Sequence, residues 1–219
     1  MRNYLQALFE ACLQNAYTEE RGAASWSYQR KGDGLYLWFE HSNGIADWLN
    51  NLNFGATPYR GMNPEWRCHA GFLKVWEILR QVVEPLILDR EVQKICIVGY
   101  SHGAAIALLC HEYVWYHRPD LRGTLCGYGF GCPRVLYGCL PPEIAVRWES
   151  FWRIDNEDDI VTHLPPRLFG FCHVGNRVVI GAHARYSPID AHRPESYLKE
   201  LEKLPENAQN PHVNGGNLY

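Results

Sequence analysis

Residues 94–110 constrain this chain more than any other stretch, because they join a strand pattern directly to a helix pattern. Residues 95–98 form an unbroken apolar run, typical of a strand that is buried on both faces. Residues 104–110 are rich in alanine and leucine and favour a helix. Between the two lies Gly99-Tyr100-Ser101-His102-Gly103. A strand that turns at once into a helix strains the residue at the turn, and flanking glycines leave room for the close approach. The pattern predicts that Ser101 is a nucleophile; the alternative is a tight turn that contains a serine.

The size and charge of the chain limit its organisation and its partners. With 219 residues, of which 47% are apolar, it is long enough for one α/β domain and short for two. We therefore expect one domain over residues 1–204 and a polar, flexible tail over residues 205–219. The formal net charge of −3 favours neither nucleic acid nor an anionic membrane surface as a partner.

The N-terminus and the cysteines predict a cellular compartment. The first residues lack the apolar core and cleavage site of a secretory signal, and no apolar run is long enough to cross a bilayer. We expect a cytoplasmic protein, or a secreted one if a signal was removed before residue 1. The eight cysteines form no C-x-x-C pair, which favours free thiols over disulfides or a zinc site. They are Cys12, Cys68, Cys96, Cys110, Cys126, Cys132, Cys139 and Cys172.

Apolar periodicity predicts alternating strands and helices along the chain. Strands are expected over residues 35–39, 95–98, 124–130, 149–154 and 176–180, and helices over residues 4–13, 71–88, 104–117 and 194–204. Pro85 is expected to kink or break the second helix. Residues 22–34 read as loops among which one short strand is allowed, and residues 53–67 as an irregular excursion. Helices between successive strands indicate an α/β fold with a mainly parallel central sheet.

A serine hydroxyl needs a base to remove its proton and a carboxylate to orient that base. In the chain order Ser, Asp, His, the acid follows a later strand than the serine. Asp155, Asp158 and Asp159 all follow the strand expected over residues 149–154, and the residues alone leave them nearly equal. An acidic surface loop, or a calcium site over residues 155–158, is the alternative. Ten histidines compete for the role of the base.

Several motifs in order resemble the class 3 lipases, a family of fungal-type lipases with an α/β-hydrolase-like fold. The resemblance extends over about residues 35–197, and its motifs are CHAGF at 68–72, GYSHGAA at 99–105, GFGCPRV at 129–135, DDIVTHLPP at 158–166 and FGFCHVG at 169–175. It implies that Asp159, which precedes the Ile-Val of the fourth motif, is the acid. It implies that His192, shortly before Tyr197, is the base, with His173 and His183 as rivals. His69 is expected to support the elbow or the packing of the substrate site through a hydrogen bond, and not to take part in the chemistry.

The same resemblance implies an oxyanion hole, with the backbone N–H of His102 as one donor. The second donor is a hydroxy residue at the end of an earlier strand, a position that Ser42 takes. Glu40 and His41 depart from the family pattern there, which has Arg and Gly. Ser42 also suits a helix cap. Residues 44–67 correspond to the lid segment of the fungal relatives, and a lid or acyl groove competes with ordinary packing as their role.

The function implied by this resemblance is hydrolysis of carboxylic esters, in acylglycerols or other lipid esters, through a Ser-His-Asp triad. It requires no cofactor and no metal. The expected partner is a lipid or small ester substrate, which a lipid–water interface could present, and not nucleic acid. The alternatives are a phospholipase or lysophospholipase, and a hydrolase-fold binding module that has lost catalysis.

Overall fold

The computed structural model describes residues 3–20, 24–40, 55–62 and 65–205. Two sheets lie within these ranges. In chain order their strands are β1 (Thr18–Glu20), β2 (Ala24–Lys31), β3 (Gly34–Phe39), β4 (Ala56–Tyr59), β5 (Trp66–His69), β6 (Lys94–Tyr100), β7 (Leu125–Phe130), β8 (Leu136–Tyr137), β9 (Phe151–Asn156), β10 (Phe171–Cys172) and β11 (Asn176–Ile180). The helices are α1 (Tyr4–Gln14), α2 (Ala70–Ile87), α3 (His102–His117), α4 (Pro142–Ala145) and α5 (Pro194–Leu201).

The larger sheet has the order β1-β2-β3-β6-β7-β9-β11 in the described part of the chain. Every pair from β3 to β11 is parallel, and only the β1-β2-β3 end is antiparallel. This confirms the mainly parallel central sheet of an α/β-hydrolase-like fold. Since parallel strands end at the same edge of a sheet, the chain leaves β6, β7 and β9 on one side. Ser101, Gly131 and Asp159 follow these three strands and meet there.

Helices cover both faces of this sheet and bury two apolar clusters. On one face, α2 and α3 pack against Leu35, Leu37 and Phe39 of β3. On the other, α1 and α5 pack against Tyr36 and Trp38. Alternate side chains of β3 therefore enter different clusters, as the pleat of a strand requires. The alanine-rich run of α3 is buried on all sides, because this helix lies between the sheet and α2.

The smaller sheet, of order β10-β8-β5-β4, was not expected from the sequence. Two of its strands, β4 and β5, lie within or next to the predicted irregular excursion, and β8 and β10 have only two residues each. Two further elements differ in detail from the prediction. The one strand allowed in the polar stretch before Gly34 is β2, and it has eight residues. Pro85 does not break α2, which continues to Ile87.

Two other predictions lie largely outside the described residues: the flexible tail, from residue 206 onward, and the lid segment, over residues 44–54. None of the helices in the described ranges is both long enough and apolar enough to cross a membrane. All eight cysteines, which the described ranges include, are free thiols, and six of them are buried.

Candidate active site

The turn between β6 and α3 forces Ser101 into a backbone conformation that side chains rarely adopt. Its φ is 56° and its ψ is −121°. The chain approaches itself closely on both sides of Ser101: a Cβ on Gly99 would lie 2.2 Å from the Gly103 oxygen. A Cβ on Gly103 would lie 2.2 Å from the Phe39 oxygen, on the adjacent strand. The backbone N–H of Ser101 donates to the Phe130 carbonyl at 2.8 Å and fixes the turn to the end of β7. Both glycines of the elbow are therefore required by close contacts.

Ser101, His192 and Asp159 form a continuous chain of hydrogen bonds. The Nε2 atom of His192 lies 2.8 Å from Ser101 Oγ, and its Nδ1 atom lies 2.7 Å from Asp159 Oδ2. All three side chains are buried. A proton on Nδ1 directed at the carboxylate leaves Nε2 as an acceptor for the serine hydroxyl, which is the tautomer that general-base chemistry requires. The structure thus brings together three residues that the sequence predicted as a triad.

The Asp159 carboxylate is held by two donors besides His192. The backbone N–H of Val161 donates to Oδ1 at 2.8 Å, and the Tyr197 hydroxyl donates to Oδ2 at 2.6 Å. The Tyr197 hydroxyl in turn accepts from the backbone N–H of Asn156 at 3.1 Å. Burial, and then the charge of Asp159, raise the pKa of Tyr197 well above its usual range, so it stays a neutral donor. Tyr197 orients the acid, a role that the sequence prediction missed.

Two further residues hold His192 and were also missed. The Tyr100 hydroxyl donates to the His192 carbonyl oxygen. The two rings stack with their centroids 5.2 Å apart and an angle of 22° between their planes. At the end of the adjacent strand β7, Gly131 has a φ of 58°, and a Cβ there would lie 2.8 Å from His192 Cε1. The motif GFGCPRV includes Gly131, but nothing in the sequence predicted that this glycine packs against His192.

The other two candidate acids pair with groups other than His192. Asp155 Oδ2 lies 3.2 Å from Arg153 Nη1 and 2.9 Å from Arg177 Nε. Asp158 pairs with His183 at 3.0 Å. Because these two carboxylates point to different partners, the predicted alternative of a calcium site over residues 155–158 has no shared centre. Among the described residues, no group of three His, Cys, Asp or Glu side chains could hold a metal ion.

The rival bases lie outside the hydrogen-bonded chain. His173 Nε2 lies 2.8 Å from the Thr162 carbonyl oxygen. Burial and the nearby Arg153 lower the pKa of His173 to about 3, so the ring stays neutral and donates there. His183 is exposed and pairs with Asp158. Of the three histidines, His192 is the one whose ring is hydrogen-bonded to Ser101 in the described site.

A second pair of histidines lies beside the nucleophile. His69 caps α2, accepting from the backbone N–H of Phe72 on Nδ1 at 3.4 Å. This hydrogen bond fixes the start of α2, and support of the elbow or of the substrate site by His69 stays a prediction. Burial, and then the charge of His69, lower the pKa of His102 to about 4. The His102 imidazole is therefore neutral at neutral pH, and its ring lies 5.6 Å from that of Phe72.

Of the two predicted oxyanion donors, His102 lies within the described residues and Ser42 does not. His102 is the first residue of α3, where a helix leaves its backbone N–H groups without an intrahelical acceptor. The second donor, Ser42, and its neighbour His41 lie outside the described residues. Glu40 is described, and its backbone N–H donates to the Ser25 carbonyl at 3.0 Å, continuing the pairing of β2 and β3. One donor of the predicted pair is therefore positioned by the described fold.

A serine on a strained strand-to-helix turn, with its acid and base supplied by the segments that follow later strands of a mainly parallel sheet, defines an α/β-hydrolase-like protein. The family model described as lipase (class 3) matches residues 36–169. The chain belongs to the class 3 lipase family.

Relatives among known proteins agree with this family. A lipase of Rhizomucor miehei is 32% identical over 146 residues, which make up 64% of this chain and 40% of that protein. The "secreted mono- and diacylglycerol lipase 1" of Fusarium solani is 24% identical over 178 residues, or 80% of this chain and 50% of that protein. The solved structure of Rhizomucor miehei triacylglyceride lipase superposes with a TM-score of 0.66 at 27% identity, covering 77% of this chain and 66% of that one. The chain thus spans 40% to 50% of the length of these two curated relatives.

Proposed function

We propose that this protein is a serine carboxylic-ester hydrolase that acts on acylglycerol-type or other lipid esters. The observation that carries the proposal is the unbroken chain from Ser101 Oγ through His192 to Asp159, with separations of 2.8 Å and 2.7 Å. A hydroxyl in this setting is activated for attack on a carbonyl carbon. The same chain of contacts argues against the alternative of a binding module without catalysis.

The proposed reaction proceeds through an acyl-enzyme. Ser101 Oγ attacks the ester carbonyl while His192 Nε2 takes its proton, and Asp159 stabilises the resulting imidazolium. The backbone N–H of His102, together with Ser42, donates to the oxyanion of the tetrahedral intermediate. His192 then protonates the leaving alcohol. Water attacks the acyl-enzyme by the same route and restores the free serine.

The substrate class rests on the relatives. The Rhizomucor structure is that of a triacylglyceride lipase, and the Fusarium relative is named for mono- and diacylglycerols. These substrates share a carboxylic ester of glycerol, which is the bond that the proposed chemistry would break. Hydrolysis rates across p-nitrophenyl esters of increasing acyl length would define the preferred chain, because the depth of the acyl groove sets that preference.

Hydrolysis of p-nitrophenyl butyrate by four proteins tests the proposal. Ser101→Ala should lose at least about a thousandfold in kcat/KM, and Asp159→Asn at least about a hundredfold, because each removes a member of a coupled triad. Asp158→Asn, next to the acid but paired with His183, should stay within about threefold of the wild type. Near-normal turnover in Asp159→Asn together with its loss in Asp158→Asn would contradict the acid assignment.

Domain organisation and location belong to the same proposal. We propose that residues 1–204 form one domain, because both apolar clusters share one sheet. The cytoplasmic location stays a prediction from the sequence, and the Fusarium relative is by its name secreted. The eight free thiols suit a reducing compartment. Fractionation of cells and culture medium would decide between the two locations.

A further inference from the structure

A one-turn helix at Arg167–Phe169 presents two large apolar side chains to solvent. Leu168 is 91% exposed and Phe169 is 51% exposed. Leu168 is the most exposed large apolar side chain among the described residues. Exposure of adjacent apolar side chains is unfavourable in water, and it often marks a surface that meets a partner. We refer to residues 167–169 as the apolar turn.

The backbone of the apolar turn is held in place on both sides. Gly170, with a φ of 84°, ends the turn by donating to the Arg167 carbonyl at 2.9 Å, and its own carbonyl accepts from Gly138 at 2.8 Å. Before the turn, Arg134 donates to the Pro165 carbonyl at 3.0 Å through Nη1. Because hydrogen bonds hold the backbone on both sides of the apolar turn, the position of Leu168 is fixed before any partner binds.

Three arginines lie in or next to the apolar turn, although the chain as a whole has a formal net charge of −3. Arg167 is exposed and begins the turn. Arg134 lies close to it: burial, and then the charge of Arg167, lower the pKa of Arg134. Arg67, also exposed, lies 4.8 Å over the ring of Tyr137. This ring reaches the end of the turn, where a Cβ on Gly170 would lie 2.9 Å from it.

The carboxylate that acts on Arg134 is already balanced by other arginines. Asp155 pairs with Arg153 at 3.2 Å and with Arg177 at 2.9 Å. The corner that carries the apolar turn is therefore locally positive. The sequence prediction of no anionic membrane partner used the net charge of the chain, and a net charge does not resolve a local patch.

We propose that the apolar turn docks onto an anionic phospholipid surface. Leu168 and Phe169 enter the boundary between headgroups and acyl chains, while Arg167, with Arg134 and Arg67 behind it, binds lipid phosphates. An apolar tip with arginines at its base suits such a surface, because each side chain then meets its own layer. The proposal rests on the proposed function, since lipid esters are presented to an enzyme by such surfaces. The turn begins eight residues after Asp159, so docking would bring the loop of the triad acid to the lipid.

Co-sedimentation of the full chain with vesicles tests this docking. The protein carries Ser101→Ala so that binding is measured without hydrolysis. Vesicles of phosphatidylcholine alone are compared with vesicles that contain equal amounts of phosphatidylcholine and phosphatidylglycerol. Binding to the mixed vesicles should be at least about tenfold tighter and should weaken with salt.

The variant Leu168→Ala/Phe169→Ala should weaken binding to the mixed vesicles at least about tenfold. Its matched control is Leu88→Ala/Val179→Ala, which removes two apolar side chains that are 44% and 43% exposed elsewhere and should bind like its parent. Arg167→Gln should weaken binding to the mixed vesicles about fivefold and leave binding to phosphatidylcholine alone unchanged.

Equal binding by the two double variants, or no preference for the anionic vesicles, would overturn the proposal. A parent protein that elutes as a dimer, becomes a monomer in Leu168→Ala/Phe169→Ala and never sediments with vesicles would also overturn it, and would assign the turn to contact between copies. Hydrolysis of p-nitrophenyl butyrate by the wild type is a separate readout. Absence of this hydrolysis would contradict the proposed function. Vesicle binding by the variants would still test the docking proposal independently.

Discussion

At the scale of residues, Asp159 shows how the fold selects one carboxylate from three neighbours. β9 ends at Asn156, and the chain then turns so that Asp159 begins a short 3₁₀ helix at Ile160–His163. Its carboxylate accepts from Val161, two residues on, and from two side chains of the last third of the chain. Residue type alone could not separate it from Asp155 and Asp158, because its partners are distant in sequence.

Removing the hydroxyl of Tyr197 tests whether its contact with the acid matters for turnover. Tyr197→Phe should lower kcat about tenfold with little change in KM, because a hydrogen bond to a charged group contributes about 1.5–3 kcal/mol. Steady-state kinetics with p-nitrophenyl butyrate give both constants. The control is Tyr186→Phe, which also removes a bond to a carboxylate, that of Glu200 at 2.7 Å, and should leave kcat unchanged. An equal effect of the two variants would show that Tyr197 has only a structural role.

The contacts of Tyr100 and Gly131 could not be predicted from the sequence for the same reason. Tyr100 bonds to a carbonyl 92 positions away. The glycine is needed because the ring of His192 fills the space of a side chain. Neither contact leaves a local pattern, whereas the elbow does, since its strain and its glycines are adjacent in the chain.

At the scale of elements, the elbow is the part that the sequence predicts best. The apolar run became β6 and the alanine-rich run became α3, which ends at His117 as expected. Both elements are buried almost throughout, so composition alone predicts their type. Close packing of α3 against β3 then depends on Gly103.

Gly103→Ala tests this packing. The new Cβ would lie 2.2 Å from the Phe39 oxygen and 2.6 Å from the Glu40 oxygen, which are backbone atoms that cannot rotate away. Unfolding in urea should show a loss of at least about 2 kcal/mol. Gly123→Ala is the control, because a Cβ there has no neighbour within 4 Å, and it should stay within about 0.5 kcal/mol of the wild type. Equal stability of the two variants would show that α3 can move away from β3.

The elements that the sequence missed are those whose stability comes from distant neighbours. β2 carries polar side chains and the half-exposed Tyr28, because it pairs between two strands near the edge of the sheet. β8 and β10 have two residues each and exist only as partners within the smaller sheet. α2 continues past Pro85 to Ile87, whose buried side chain anchors the last turn. Tertiary packing overrides local preference in each case.

At the scale of the whole molecule, buried ionisable groups make stability depend on pH with opposing signs. Burial lowers the pKa of His173 to about 3, below its usual 6.5, so the unfolded chain binds more protons between these values. This contribution is complete above pH 6.5 and is lost as the pH falls. Burial raises the pKa of Glu112 to about 7 although Arg147 lies 2.5 Å away, and its contribution falls as the pH rises. The pH dependence of the wild-type Tm therefore contains the contributions of both His173 and Glu112.

Comparison of variants isolates the histidine. From about pH 7 to about pH 5, the Tm of the wild type should fall further than that of His173→Gln, whose amide can still donate to Thr162 but does not titrate. The exposed neighbour His163 supplies the control, and His163→Gln should follow the wild-type curve. Parallel curves for the wild type and His173→Gln would contradict a buried neutral His173.

Activation of Ser101 depends on the whole molecule, because the fold must bring a base and an acid from later parts of the chain to this serine. Labelling with a fluorophosphonate tests it most directly, because an activated serine of this kind attacks the phosphorus, displaces fluoride and becomes phosphonylated. The folded protein should gain one adduct, located on Ser101 by peptide mass spectrometry, and neither Ser101→Ala nor heat-unfolded protein should gain any. A folded protein without an adduct, or with its adduct on a different serine, would contradict the account.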